Sequence, residues 1–200
     1  MTIITASHRT SILDLSEFRR LTDREVQRLI DDPKVNKVIS EPVQWSVTRA
    51  RNDRPLEVRT KVAVVNSMGE RLFLDGRILV ERPWQSHWAL TWGSKTHHEH
   101  PETIRRLDLR DDHRNPDGIV WDRKTHKHLW SVEDGNSVAY TPQDIRHDAA
   151  TPPVTGDDYR AIFEDFARET HIRFAPDYVW EDPQIEALQQ GIGPTLWEVP

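Results

Sequence analysis

Apolar and polar residues alternate along the middle of the chain, whereas helical spacing is confined to two segments nearer its ends. Turn-forming residues, such as those at 52–55 and 67–69, separate four alternating stretches: 44–50, 56–65, 71–81 and 87–91. A period of two places the apolar side chains on one face of a half-buried strand, and short turns pair consecutive strands antiparallel. Asp75 and Gly76 interrupt the third stretch and indicate a bulge or a second tight turn.

Two segments with helical spacing flank this region. The first, 22–31, opens with Thr22 and Glu25, a pair that can satisfy the free amides of a first turn. The second, 156–171, follows Thr155 and carries an apolar stripe: Tyr159, Ile162, Phe163, Phe166 and Ala167. Further strands are expected at 104–109, 119–122, 126–132 and 137–140. We therefore predict an α+β fold, an antiparallel meander of about six strands with both helices packed on one face.

Length and composition indicate one globular domain. The chain has 200 residues and eight tryptophans, enough for a sizeable core. We expect 1–20 to be an N-terminal extension, 21–172 to be the α+β core, and 173–200 to be a tail docked on it. The absence of cysteine excludes disulfides and thiolate metal sites and fits a cytoplasmic protein.

Charge and hydropathy argue against two classes of partner. The net charge of −6 argues against a surface wrapped by duplex nucleic acid. No apolar run approaches the roughly 18 residues of a membrane helix, and the start of the chain lacks the basic region of a signal peptide. We expect no membrane contact and no cofactor.

Histidines concentrate between residues 97 and 132, which hold six of the ten in the chain. His113 opens the turn-forming run 113–118, His-Arg-Asn-Pro-Asp-Gly, and His126 and His128 follow in the next strand. In a strand these two imidazoles share one face with Trp130 and Val132, which form its core end. The turn can return His113 to the polar end of this strand, beside His126 and His128. The histidines at 97–100 are interpreted as part of a solvated loop.

Three convergent imidazoles support two kinds of chemistry. Imidazoles are well suited to proton transfer near neutral pH, so His113, His126 and His128 are candidates for an acid/base site. The same three can bind a metal ion, with Asp117 or Asp122 as a fourth ligand, and zinc suits a nitrogen-rich set.

The chain resembles a small uncharacterised family of phage, prophage and mobile-element proteins. The resemblance spans 21–172 and implies no activity. The chain is more distantly similar to TumE-type toxins of toxin–antitoxin modules, which carry a histidine-rich strand in a small α+β domain. The insert 84–103 and the tail 175–200 lie outside the family pattern. The matching pieces are 21–34, 56–83, Ile104–Asp108, His113–Gly118, His126–His128, Ala139–Tyr140 and the final amphipathic helix.

Two functional hypotheses follow. In the first, the chain is a ribonuclease-like toxin or effector that needs no metal. His126 and His128 are then the base and the acid, in either order, and His113 assists. Arg106 binds the phosphate and Tyr140 donates a hydrogen bond. The plain alternatives are that Arg106 pairs with a nearby carboxylate and that Tyr140 is a core-edge aromatic.

In the second hypothesis the chain is a non-catalytic phage or mobile-element protein that docks on a host protein. Trp84, Trp88 and Trp92 would be its anchors if they are exposed. The partner is RNA in the first hypothesis and a host or antitoxin protein in the second.

Overall fold

The computed structural model describes residues 21–48, 55–93, 101–143 and 154–192. Three helices lie in this part of the chain: α1 (Asp23–Asp31), α2 (Gly156–Glu169) and α3 (Ile185–Ile192). The strands are β1 (Lys37–Ile39), β2 (Ser46–Thr48), β3 (Glu57–Asn66), β4 (Arg71–Leu79), β5 (Ser86–Gly93), β6 (Glu102–Arg114), β7 (Val120–Ser131), β8 (Gly135–Tyr140) and β9 (Ile172–Phe174).

One sheet joins these strands in the order β8-β7-β6-β5-β4-β3-β1-β9, with β2 paired to β3. From β3 to β8, neighbours along the chain pair antiparallel, and the α+β prediction is confirmed. The predicted number of strands was too low, because β1 and β9 have three residues each and are too short to show a period. β1 and β9 also form a parallel pair. The predicted strands at 119–122 and 126–132 are one strand, β7.

Capping boxes begin both predicted helices. In α1, Thr22 and Glu25 exchange side-chain to backbone hydrogen bonds, and Thr155 and Asp158 do the same in α2. The whole apolar stripe of α2 is buried and belongs to the same core cluster as the buried residues of α1. The helices therefore bury their apolar faces in one core against the sheet, as their spacing predicts.

Trp88 is the centre of this core. Its side chain is fully buried, and its indole makes edge contacts with Phe163 of α2 at 5.8 Å and with Trp45 at 6.1 Å between ring centroids. Gly76 lies opposite Trp88 in the sheet, and a Cβ there would be 2.8 Å from the indole. The expected break at Asp75 and Gly76 was wrong, because β4 runs through this position and glycine makes room for the tryptophan.

Residues beyond 172 also contribute to the core. The Trp180 ring lies 5.4 Å from that of Phe163 and 5.7 Å from that of Trp45. Pro183 is followed by α3, where Ile185 is buried. In the described residues, no helix has the length and apolar character needed to cross a membrane.

Truncating Phe163 should destabilise the protein. Phe163→Ala removes a ring that is 0% exposed and in contact with Trp88 and Trp180. We expect a loss of about 3–5 kcal/mol in the free energy of unfolding, measured by urea denaturation. Val65→Ala is the control, because Val65 is 65% exposed and its truncation should change stability by less than about 0.5 kcal/mol. Equal effects of the two substitutions would contradict this account of the core.

Candidate functional site

The sheet has one apolar face, covered by the helices, and one polar face. On the polar face, the register places His87 of β5, Asp108 of β6 and His126 of β7 side by side. The next row on the same face pairs Arg106 of β6 with His128 of β7. Residues paired across antiparallel strands share a face, so the sheet itself brings these five side chains together.

The Asp108 carboxylate is the centre of the cluster and is fully buried. Its Oδ1 accepts hydrogen bonds from Arg106 Nε at 2.7 Å and from His87 Nδ1 at 2.8 Å. Its Oδ2 lies 3.0 Å from His128 Nε2 and 2.5 Å from an Arg106 terminal nitrogen. A buried carboxylate is strongly unfavourable unless donors surround it, and three side chains supply them here.

These contacts hold Asp108 in its ionised form. Burial raises the pKa of its carboxyl, but the imidazoles of His126, His128 and His87 more than offset that effect and keep the pKa well below its usual range. His87 also links Asp108 to a second carboxylate, since its Nε2 lies 3.4 Å from Asp111 Oδ2. Gln85 donates to the other oxygen of Asp111.

Each of the three imidazoles predicted to converge is fixed by a main-chain carbonyl. His126 and His128 use Nδ1, and His113 uses Nε2. The acceptors are the oxygens of Lys124 at 2.8 Å, Asn136 at 2.7 Å and Ser137 at 3.0 Å, respectively. Because a carbonyl only accepts, we assign a proton to each of these three nitrogens.

The rings themselves are in contact. The centroid of His113 lies 4.6 Å from that of His128 and 5.4 Å from that of His126, and the latter two are 5.0 Å apart. His126 and His128 are 0% exposed, whereas His113 is half-buried at the edge of the cluster. The predicted convergence of the three histidines is therefore present.

The tip of the β6–β7 hairpin folds over this face of the sheet. Register shifts between Asp108 and His113 bend the hairpin, and Arg110 has a positive φ of 50° there. At the tip, the Asn115 side chain bonds both backbone groups of Ala139 on β8, at 2.7 and 3.0 Å. This anchor holds His113 above the two buried imidazoles.

Arg106 is at the site, but Tyr140 is not. Arg106 forms an ion pair with Asp108, which agrees with the alternative of a carboxylate partner, and its side chain remains 35% exposed. Tyr140 pairs with Lys127, whose side chain reaches Glu169 of α2 on the opposite face of the sheet. The guanidinium of Arg105 lies over the Tyr140 ring there, at 5.8 Å from its centroid. A hydrogen bond from Tyr140 into the histidine cluster therefore does not fit this placement.

Other sequence predictions need correction. Asp117 and Asp122 are exposed and do not join the histidine group; Asp117 instead accepts the Ile119 amide in the turn. The predicted core end of the histidine strand was wrong at Val132, which is 58% exposed while both histidines are buried, although Trp130 packs partly buried against the core. The reason is that the folded hairpin covers the histidines, whereas β7 ends at Ser131, before Val132.

The tryptophans proposed as docking anchors are not an exposed patch. Trp88 and Trp92 are 0% and 5% exposed, and Trp84 packs partly buried against the core. The loop histidines at 97, 98 and 100 lie outside the described residues.

Sequence reasoning missed Asp108 as the hub and missed His87 and Asp111 altogether. Asp108 is the last residue of the Arg-Leu-Asp run 106–108. The signal that was available is an acidic residue placed between Leu107 and Leu109. The proximity of His87 depends on the register of β5 on β6, which no local pattern specifies.

Two groups in the cluster have the composition and spacing of metal ligands. The first is His113, His126 and His128, and the second is His87, Asp108 and Asp111. In each group the candidate ligand atoms all lie within 4.8 Å of one another.

A family of unknown function (DUF6978) matches residues 86–172 of the chain. The matched segment runs from the start of β5 to the first residue of β9 and contains every residue of the cluster except Gln85. No curated protein and no solved structure matches the chain.

Removing the charge of Asp108 should destabilise the fold. Asp108→Asn keeps the shape but leaves Arg106 and the buried imidazoles without their anion, so we expect a loss of about 3–5 kcal/mol in the free energy of unfolding. Asp122→Asn makes the same chemical change at an exposed site and should cost less than about 0.5 kcal/mol. A stability for Asp108→Asn equal to that of the control would show that the carboxylate does not organise the cluster.

Proposed function

We propose that the chain is a ribonuclease-like effector that cleaves RNA through its histidine cluster. The observation that carries the proposal is the convergence of His113, His126 and His128 beside Arg106, whose charge suits a phosphate. The resemblance to phage and mobile-element proteins supports a role in conflict between such elements and their hosts, with RNA as the substrate.

The accessible members of the cluster define the direction from which RNA would approach. His113 is half-buried and the Arg106 side chain is 35% exposed, whereas the other two imidazoles are fully covered. We therefore assign first contact with the substrate to His113 and Arg106. Contact with His126 or His128 requires the hairpin tip to lift from β8, where Asn115 holds it by two hydrogen bonds.

The proposed reaction is transesterification within RNA. A base removes the proton of a ribose 2′-hydroxyl, the 2′-oxygen bonds to the adjacent phosphorus, and the bond from phosphorus to the 5′-oxygen breaks. An acid gives a proton to that leaving oxygen, and the products are a 2′,3′-cyclic phosphate and a free 5′-hydroxyl. His113 is the proposed base, and the acid is His126 or His128, which single substitutions would distinguish. Arg106 stabilises the charge on the phosphorane.

The alternative of a non-catalytic docking protein has less support. Its proposed anchors required exposed tryptophans at 84, 88 and 92, and Trp88 and Trp92 are buried in the core. A protein partner that binds elsewhere on the chain is compatible with the ribonuclease proposal, as an antitoxin would be.

Purified protein should cleave single-stranded RNA in the presence of a chelator. His113→Ala should lower the rate by about 10²–10⁴-fold, the usual contribution of a positioned acid or base. The measurement uses a doubly labelled oligonucleotide, with the cyclic phosphate product identified by mass spectrometry.

Two controls accompany that assay. His171→Asn replaces an exposed histidine outside the cluster, at a positive φ of 55° that asparagine tolerates, and should leave the rate unchanged. An oligonucleotide with 2′-deoxyribose at the cleavage position should resist cleavage, because it lacks the nucleophile. Absence of cleavage of any RNA under these conditions, or cleavage of the deoxy substrate, would refute the proposed mechanism.

A further inference from the structure

His126 has a buried ring nitrogen that no hydrogen bond satisfies. Its Nδ1 is taken by the Lys124 carbonyl, while its Nε2 has no hydrogen-bond partner and is buried in a side chain that is 0% exposed. This Nε2 lies 3.3 Å from Asp108 Oδ2, a distance typical of an ion pair, but the two atoms do not form a hydrogen bond. A buried polar atom without a partner is costly, so it indicates a ligand.

The other two imidazoles of the group are oriented in the same way. His128 and His113 each direct one ring nitrogen to a main-chain carbonyl. The second nitrogen of His128 contacts Asp108 Oδ2 at 3.0 Å, a contact that a metal ion between the two atoms would replace. Metal-ligating histidines characteristically donate their other N–H to a carbonyl or carboxylate, because that bond fixes the tautomer and the ring orientation. Three histidines in one cluster share this arrangement.

The spacing of the remaining atoms suits a single ion. The candidate ligand atoms of His113, His126 and His128 lie within 4.8 Å of one another. Asp108 Oδ2 lies 3.0 Å from His128 Nε2 and 3.3 Å from His126 Nε2. Ligand bonds of 2.0–2.2 Å around a tetrahedral ion separate the ligand atoms by roughly 3.3–3.6 Å, so the Asp108 carboxylate lies about as far from the two imidazoles as a neighbouring ligand would.

We propose that His113, His126 and His128 bind one divalent transition-metal ion, with the Asp108 carboxylate next to it. Imidazole nitrogens favour zinc, nickel, cobalt and copper, whereas magnesium and calcium prefer oxygen ligands. Asp108 is fully buried on the polar face of the sheet and replaces the exposed Asp117 and Asp122 as the nearby carboxylate.

The ion would compete with the proposed ribonuclease chemistry. A ring nitrogen that binds a metal through its lone pair cannot accept a proton from a 2′-hydroxyl. Zinc bound to the three imidazoles should therefore inhibit cleavage, and a chelator should restore it. This consequence rests on the proposed function, whereas metal binding itself does not.

The direct test is metal binding to the full chain. Tag-free protein, stripped with a chelator and dialysed, is titrated with zinc chloride by calorimetry and with Co²⁺ by absorption spectroscopy. We expect one ion per chain and, for Co²⁺, the visible bands of a tetrahedral nitrogen-rich site. His113→Ala and His126→Ala should each weaken zinc binding by more than about 100-fold, because loss of an outer-shell partner alone costs 10–100-fold.

Controls separate a specific site from folding effects and from surface binding. His171→Asn should bind zinc with unchanged affinity, and magnesium should not compete. Thermal melts show whether each variant is folded; His113→Ala is the variant least expected to affect folding, since His113 is only half-buried. Failure of folded wild-type protein to bind zinc, nickel or cobalt, or equal binding by the folded His113→Ala variant, would overturn the proposal.

Cleavage assays with and without zinc distinguish this proposal from the ribonuclease proposal. One-to-one zinc binding together with inhibition supports both. Zinc binding without cleavage under any condition supports the metal site and refutes the ribonuclease. Cleavage only when zinc is added supports the site but refutes both the competition and the metal-independent mechanism. Cleavage in chelator with no metal binding refutes the metal site alone.

Discussion

The buried carboxylate of Asp108 imposes the main constraint on the polar half of the structure. An ionised group without water is stable only if donors replace its hydration, and here they come from β5, β6 and β7 at once. The three strands must therefore hold one register, since a shift by one residue would turn His87 or His126 to the other face.

The opposite face of the same strands is organised by a second set of charges. Lys127 is almost fully buried and forms an ion pair with Glu169 of α2. Glu169 also forms an ion pair with Arg105. Glu169 is the last residue of α2, so the pairs fix the end of the helix on the sheet. The helix also packs on the sheet through the apolar core around Trp88 and Phe163, and these charges specify where the helix lies on it.

The sequence patterns predicted where the helices and strands lie more accurately than they predicted which side chains are buried. Periodicity located the long strands and both capped helices, because it is a local property that survives in the fold. The run Asn115–Gly118 correctly indicated a turn that returns His113, as the Gly118 φ of 91° illustrates. Local pattern could not show that His87 meets Asp108, which depends on strand register. Nor could it show that Tyr140 faces α2, which depends on its pairing with Lys127.

The burial of residues 125–128 explains why the wrong end of the histidine strand was predicted to be exposed. Alternation assumes that one face of a strand contacts water, yet Thr125, His126, Lys127 and His128 are all buried. Helix α2 covers one face through Glu169, and the hairpin tip covers the other through Asn115. A strand buried on both faces is usually apolar, and a polar one must satisfy every side chain it buries. In this strand the unsatisfied exception among the imidazoles is His126 Nε2. The atom that the protein alone does not satisfy is thus located where three imidazoles and a carboxylate converge, which is why we place the proposed metal site at this point.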